Sequence, residues 1–187
     1  MEFTHLFSQK RQYLNMREYE FSSLWENVEF VIYCMLAFFV PFFMGHPQIF
    51  VGSVVNAALV LAALNMRGWK MLPIIMLPSI GVICAGVIFG GLAASAFLLA
   101  PLIWIANALF VLAIKKMVFE RKNSGVLAVV WGTALKSAFL FCAASALVWL
   151  SILPIAVLGA MGLLQIYTAL IGGIGALFVQ TAKKQFA

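Results

Sequence analysis

The chain has 187 residues, of which 65% are hydrophobic and 10% are charged, and its mean hydropathy is +1.07. Soluble domains contain about 45–50% apolar and about 25% charged residues, so this composition excludes an ordinary soluble protein and predicts an all-α membrane protein. The net charge of +6 does not indicate a nucleic-acid partner. The basic residues stand singly or in pairs between apolar runs and never form a basic patch interleaved with aromatic residues.

Residues 1–27 form a polar segment in which charged residues alternate with aromatic and aliphatic ones. Its basic residues are Lys10, Arg11 and Arg17. The pattern predicts an amphipathic helix in the cytoplasmic interface, with its cations facing anionic lipid headgroups. A frayed tail is the alternative. The first apolar run is long enough to span a bilayer, so we expect no cleavable signal peptide.

Six apolar runs follow, each long enough to cross the hydrocarbon core of a bilayer. They cover residues 28–44, 49–66, 71–89, 92–118, 126–153 and 155–182, and the short joints between them contain Gly or Pro. We therefore predict one bundle of six transmembrane helices over residues 28–182, followed by a short cytoplasmic tail at 183–187.

The basic residues predict the orientation of this bundle, because cytoplasmic loops of membrane proteins collect Lys and Arg. They lie in the amino-terminal segment, in or beside the second and fourth joints, and in the carboxyl-terminal tail. The first, third and fifth joints have none. We expect both termini in the cytoplasm and a multi-pass protein of the cell membrane. The one basic residue outside this pattern is Lys136.

Lys136 lies in the middle of the fifth apolar run. A helix that enters the bilayer near residue 126 would carry it to a depth of about 15 Å, close to the midplane. A cation at that depth costs about 2.5–3.5 kcal/mol on insertion scales. We therefore expect its side chain to face a partner inside the bundle and not lipid.

The sequence offers Lys136 no acidic partner at that depth. The carboxylates lie in the tails, in a cytoplasmic joint or at the inner end of the first span, and they are Glu2, Glu18, Glu20, Glu26, Glu29 and Glu120. Three interpretations stay open: amides, carbonyls or cavity water solvate the amine, the amine is neutral, or it binds an anion from outside. A carboxylate suits it best, because at low dielectric the pair is both neutralised and hydrogen-bonded.

Other polar residues inside the spans can join Lys136 in a site. Asn107 lies one turn after Trp104, and Thr168 lies one turn after Gln165, so each pair shares a helix face. An aromatic ring beside an amide suits a planar, hydrogen-bonding solute. The predicted substrate-binding residues are Lys136, Gln165, Asn107, Trp104, Thr168 and Asn56. The alternative is a set of interhelical hydrogen bonds with a packed indole, and for Asn56 this contact between helices is the favoured interpretation.

Signatures of enzymes, cofactors and metals are missing from the sequence. It has no HExxH or Gly-x-Ser-x-Gly motif, no paired carboxylates inside a span and no Gly-rich phosphate loop. Cys34, Cys84 and Cys142 lie in apolar runs without metal-ligand spacing. We expect no enzymatic activity, no cofactor and no bound metal, and any ATP-driven step would need a partner subunit.

The layout of six short spans resembles the substrate-binding S components of energy-coupling-factor (ECF) transporters. The local patterns that carry the resemblance are Leu77-Pro78-Ser79, Trp104-Ile105-Ala106-Asn107-Ala108 and Gly162…Gln165…Thr168-Ala169…Gly172. The resemblance implies capture of a vitamin-like micronutrient from outside, and delivery in a complex with a transmembrane coupling subunit and two ATPase subunits. It also implies a site between the later helices, which suits Lys136, Gln165, Asn107 and Trp104.

The chain departs from that family in one feature. Members commonly dock the coupling subunit through an Ala-x-x-x-Ala face on the first helix. The first span lacks such a face, and Ala58 with Ala62 in the second span is the candidate substitute.

The sequence supports two hypotheses on function. The first is a substrate-capture subunit for a small carboxylate-bearing solute, and the second is a small accessory subunit of a larger membrane complex with no solute of its own.

Overall fold

The structure is a computed structural model that describes residues 12–18, 23–89 and 93–186. Over these residues it is helical and contains no β-strand. Short 3-10 turns lie at Gln12–Asn15 and Gly68–Lys70, and a π-turn lies at Lys116–Glu120. The helices are α1 (Ser23–Phe43), α2 (Gln48–Asn65), α3 (Met71–Phe89), α4 (Ala93–Lys115), α5 (Gly125–Trp149), α6 (Val157–Met161) and α7 (Leu163–Phe186).

Six segments of the described chain are long and apolar enough to cross a membrane, and α6 and α7 together make up the last of them. Large apolar side chains cover the outside of the bundle, among them Phe97, Trp149 and Phe178, which are 71%, 83% and 73% exposed. Apolar surface of this extent suits contact with lipid and not with water. These features confirm the predicted all-α bundle of six apolar spans and indicate a multi-pass membrane protein.

The helix bounds differ from the predicted spans most clearly near the two termini, and α5 ends at Trp149, before the predicted 153. Helix α1 begins at Ser23, so the end of the predicted amino-terminal segment belongs to the first span. The sixth span is interrupted at Gly162, whose ψ of −94° lies outside the helical range. The predicted amphipathic helix over 1–27 falls largely on residues outside those described.

Helix α2 is the centre of the bundle and packs against α1, α3, α4 and α7. All of its residues from Ala58 to Asn65 are buried. Ala58 and Ala62 are 1% and 0% exposed, because their small side chains allow the neighbouring helices to approach. The predicted use of this Ala58/Ala62 face as a docking surface is therefore wrong, since the face lies inside the bundle.

Gly172 sets the contact between α2 and α7. A Cβ atom added to it would collide with the backbone oxygen of Ser53, so the two backbones touch at this point. Such close approach needs a residue without a side chain. The contact brings Asn56 and Thr168, each one helical turn away from it, to face each other across the two helices.

The first and last spans meet at one end of the bundle. Lys183 pairs with Glu29, and Lys184 pairs with Glu18 at 3.2 Å, so the start of α1 and the end of α7 lie side by side. The basic turn Gly68–Lys70 lies at the same end, where Lys70 pairs with Glu26. We call this the inner end, following the charge pattern of the sequence, and the opposite end the outer end.

A short chain segment, residues 16–18, ties several helices together at the inner end. The backbone oxygen of Met16 accepts a 2.7 Å hydrogen bond from Nζ of Lys115 on α4, which is fully buried. The backbone N–H of Glu18 donates to Leu64 of α2 at 2.9 Å. The Glu18 carboxylate accepts a 2.6 Å bond from Gln180 of α7.

Candidate functional site

The side chain of Lys136 faces the interior of the bundle and is 2% exposed. Its Nζ donates a 2.6 Å hydrogen bond to Oδ1 of Asn56 on α2. On another side the Phe110 ring of α4 lies 5.3 Å from Nζ, within the range of a cation–π contact. The amine is thus held at one place by an amide and an aromatic ring.

Asn56 joins three helices around this amine. Its Nδ2 donates to the backbone oxygen of Gly52 at 2.9 Å and to Oγ1 of Thr168 on α7 at 3.2 Å. A backbone oxygen can only accept, so Nδ2 must face Gly52 and Oδ1 must face Lys136. The Thr168 hydroxyl donates in turn to the backbone oxygen of Gln165 at 3.3 Å.

A cavity of about 820 Å³ lies beside this cluster. Its wall combines Lys136, Asn56, Asn107, Gln165 and Thr168 with side chains from every span, most of them apolar. Pockets for small ligands commonly have about 300–1,000 Å³ and apolar walls with a few placed polar groups. The cavity is therefore large enough for a small organic solute.

The cavity lies in the outer half of the bundle. Its lining comes from the late part of α1 and α3 and from the early part of α2, α4 and α7, and it reaches Gly45 and His46 in the joint between α1 and α2. This is the end at which the sequence places no Lys or Arg in the joints. Among the described lining residues Lys136 is the one Lys or Arg, His46 is a further titratable side chain, and there is no Asp or Glu.

Trp104 and Asn107 fasten α4 to α3. Pro78 interrupts the hydrogen-bond ladder of α3 because proline has no N–H. In the turn before it, the backbone oxygen of Met76 accepts from Nε1 of Trp104 at 3.2 Å, and that of Ile75 accepts from Nδ2 of Asn107 at 3.1 Å. Both side chains therefore contribute to the packing of two cavity walls.

The structure brings most of the predicted site residues together. Those that line the cavity are Lys136, Gln165, Asn107, Thr168 and Asn56. Trp104 is absent from the described lining, because its indole lies against α3 and donates to that helix. It shares a face of α4 with Asn107, as the spacing predicts. That face packs against α3 at both residues and borders the cavity at Asn107.

Sequence reasoning missed Phe110 and Ser79. Phe110 lies one turn after Asn107 on α4, so the same face that suggested Asn107 leads to it. Ser79 lines the cavity next to Pro78. A serine within an apolar run that contains a proline is the signal that could have found it.

Metal-binding geometry does not occur in the described part of the chain, where no group of His, Cys, Asp or Glu side chains could hold an ion. What the site offers instead is an amine that can donate to an anion, several amide and hydroxyl groups, and apolar walls. This set of groups can bind and orient a small polar solute.

Comparisons with known proteins give no further information on this site. No protein-family model matches the chain, and no curated protein or solved structure gives a significant match.

Proposed function

We propose that this protein binds a small carboxylate-bearing solute in the outer cavity and takes part in its uptake across the cell membrane. The observation that carries the proposal is the position of Lys136. Its amine stands in the wall of an 820 Å³ cavity whose described lining contains no acidic side chain. A buried basic group without a counter-charge inside a membrane protein favours an anion as its ligand.

The chemistry of the amine supports this choice of ligand. An ammonium group has three N–H donors, and Asn56 takes one of them. A solute carboxylate can accept another in a charge-assisted hydrogen bond, which is stronger than a bond between neutral groups. The apolar walls lower the local dielectric and strengthen the attraction between the two charges.

The finer proposal is that the chain is the substrate-capture subunit of an ECF-type uptake transporter for a vitamin-like micronutrient. Two features support it: the cavity lies at the end of the bundle that the charge pattern predicts to face outward, and the sequence has no phosphate loop. Energy would come from partner ATPase subunits through a transmembrane coupling subunit. In this role the chain is not an enzyme.

The binding proposal is tested with acids and their neutral amides as probes. We suggest benzoate with benzamide, nicotinate with nicotinamide, and indole-3-acetate with indole-3-acetamide, added to the purified protein in mild detergent. An acid at about 100 times its Kd stabilises the folded state by about 2.7 kcal/mol and raises the melting temperature. We expect such a rise with at least one acid and none with its amide.

Matched lysine variants show whether Lys136 is responsible. Lys136→Met should abolish the rise, while Lys116→Met, which removes an exposed lysine at the inner end, should leave it unchanged. Absence of a response to every acid, or an equal response in Lys136→Met, would contradict the proposed binding.

A second candidate function, an accessory subunit without a solute, is favoured by one contact. The 2.6 Å bond to Asn56 gives the Lys136 amine a partner inside the chain, so the amine can be structural. Affinity purification from native membranes in mild detergent separates the two functions. Stoichiometric ATPases with a coupling protein support uptake, whereas an unrelated membrane assembly supports the accessory function.

A further inference from the structure

Two buried polar groups on the cavity wall have no hydrogen-bond partner. They are Oδ1 of Asn107 and the hydroxyl of Ser79, on residues that line the cavity and are 1% and 5% exposed. Both oxygens are covered in the unliganded protein, so a solute reaches them through a small shift of the wall. Buried polar groups in proteins are nearly always paired, so each exception needs an explanation. Thr133 and Ser137 of α5 also carry unpaired hydroxyls, but they are not among the described lining residues.

The free group of Asn107 is an acceptor, and its orientation follows from the contact with α3. The backbone oxygen of Ile75 can only accept, so the amide nitrogen must point to it, at 3.1 Å. The carbonyl oxygen is therefore the unpaired atom, and it can only receive a hydrogen bond. A group that fills this position must be an N–H or O–H donor.

The position of Asn107 relative to Lys136 defines a two-point site. Phe110, whose ring lies 5.3 Å from Nζ of Lys136, follows Asn107 by three residues on α4. Three residues of helix correspond to about 4.5 Å along the axis. Lys136 and Asn107 also line the same cavity of about 820 Å³, so one small molecule in it can contact both residues.

Resting on the proposed function, we propose that the solute carries an N–H or O–H donor besides its acidic group. Its acidic group binds Lys136, and its donor binds Oδ1 of Asn107. The Ser79 hydroxyl, which can donate or accept, provides a further polar contact on the same wall. The substrate class is therefore a hydroxy, amino or N–H heterocyclic acid. Simple apolar acids, which leave the Asn107 oxygen unpaired, bind more weakly.

The test compares acids that differ only in the donor. The probes are 3- and 4-hydroxybenzoate against 3- and 4-fluorobenzoate, and indole-3-carboxylate against benzothiophene-3-carboxylate, which have nearly the same shape. Affinities are measured by isothermal titration of the purified protein in detergent. We expect at least one donor-bearing acid to bind about tenfold tighter or more than its donor-free counterpart.

Variants of the wall identify the groups involved. Asn107→Leu should remove the preference while keeping Lys136-dependent binding, and Ser79→Ala should weaken the donor-bearing acid. Ser53→Ala is the control and should bind like the wild type, because the Ser53 hydroxyl donates to the backbone oxygen of Ile49 in its own helix at 2.7 Å. Asn107 also holds Ile75, so if Asn107→Leu fails to fold, the wild-type pairs and Ser79→Ala decide the outcome.

The outcomes separate this inference from the proposed function. Acids that bind in a Lys136-dependent way with no preference for a donor would overturn the inference, because cavity water would then satisfy Asn107, and the proposed function would stand. Failure of every acid to bind would overturn the proposed function and the inference with it. A donor preference that disappears in the Asn107 or Ser79 variant supports both.

Discussion

The two ends of the bundle differ in how their charged side chains are paired. At the inner end, the Glu26 carboxylate accepts from Arg17 at 2.8 Å, from Lys70 at 3.0 Å and from Arg67 at 3.2 Å. All ion pairs of the described chain lie at this end. The outer cavity has a basic side chain with no carboxylate near it and two polar groups without partners.

This difference suggests that the inner end mainly stabilises the fold and that the outer cavity is suited to binding. Buried charges that are paired and hydrogen-bonded hold elements in place, and removing one partner is costly. Unpaired polar groups destabilise the unliganded protein, and a ligand in the cavity would satisfy the two on its wall. Thr133, Ser137 and Nε of Arg17 are unpaired outside the cavity lining. The inner end therefore fixes the arrangement of the helices, and the outer half holds the groups to which we assign binding.

The largest effect on stability is expected from Glu26→Ala. It leaves Arg17 and Lys70 at the inner end without their carboxylate. Breaking a buried pair costs about 3–5 kcal/mol, and the partial exposure of the partners places this case at about 3 kcal/mol. Chemical unfolding in detergent measures the loss, and the folded fraction should still bind the acid probes. Glu120→Ala, at an exposed position, is the control. Equal stability of the two variants would contradict the role given to the inner end.

Asn56→Asp should remove acid binding by supplying an internal counter-charge. The new carboxylate would stand 2.6 Å from the Lys136 amine, at the place of the present Oδ1. It would form an ion pair with Lys136 and repel a solute carboxylate. We expect affinity to fall about hundredfold, equivalent to about 2.7 kcal/mol, in isothermal titration.

Asn27→Asp adds the same charge at the exposed inner end, beside Lys70, and is the control for this prediction. It should leave affinity for the acid unchanged. Retained affinity in Asn56→Asp would show that the acid does not bind at Lys136.

Gly172→Ala should weaken the contact that brings the site together. Its methyl group would collide with the backbone of Ser53 and force α2 and α7 apart. Overpacking of this kind costs about 1–3 kcal/mol. Acid affinity should fall as well, because the separation disturbs the bond between Asn56 and Thr168. Gly175→Ala, where an added Cβ meets nothing within 4 Å, is the matched control in thermal unfolding. Equal melting temperatures of the two variants would show that the close contact at Gly172 does not determine how α2 and α7 pack.

The smallest effect is expected from Trp104→Phe. It removes the 3.2 Å hydrogen bond to Met76 and keeps an aromatic ring. The expected loss of stability is about 1 kcal/mol, with acid affinity unchanged because Trp104 is not among the described cavity residues. Trp131→Phe, at a position that is 60% exposed, serves as the control in the same unfolding measurement. A clear loss of acid affinity in Trp104→Phe would show that the Trp104 indole contributes to binding.

The spans and the central lysine could be predicted from the sequence because each depends on local composition. Length and apolarity define a membrane helix, and the span at residues 71–89 coincides with α3. Lys136 stands out because its apolar surroundings make a charge costly. The break in the last span at Gly162 was not predicted. Hydropathy was the signal used there, and it does not distinguish a continuous apolar helix from an interrupted one.

The partners of Lys136 could not be predicted, because they depend on how distant helices pack. Asn56 precedes Lys136 by 80 positions, and the contact at Gly172 decides which helices meet there. The spacing of Trp104 and Asn107 correctly indicates a shared face. It does not show that one side chain binds a neighbouring helix while the other also lines the cavity.

Binding of a solute carboxylate to the Lys136 amine would fix the distance between the two groups. Solid-state NMR on protein labelled with ¹⁵N-lysine in bilayers, with a bound probe acid labelled with ¹³C at its carboxylate, measures the separation of carboxylate carbon and Nζ. We expect a coupling that corresponds to about 3–4 Å. That coupling should disappear in Lys136→Met and persist in Lys116→Met. A bound acid with no such coupling, or with the same coupling in Lys136→Met, would show that the acid does not bind at Lys136.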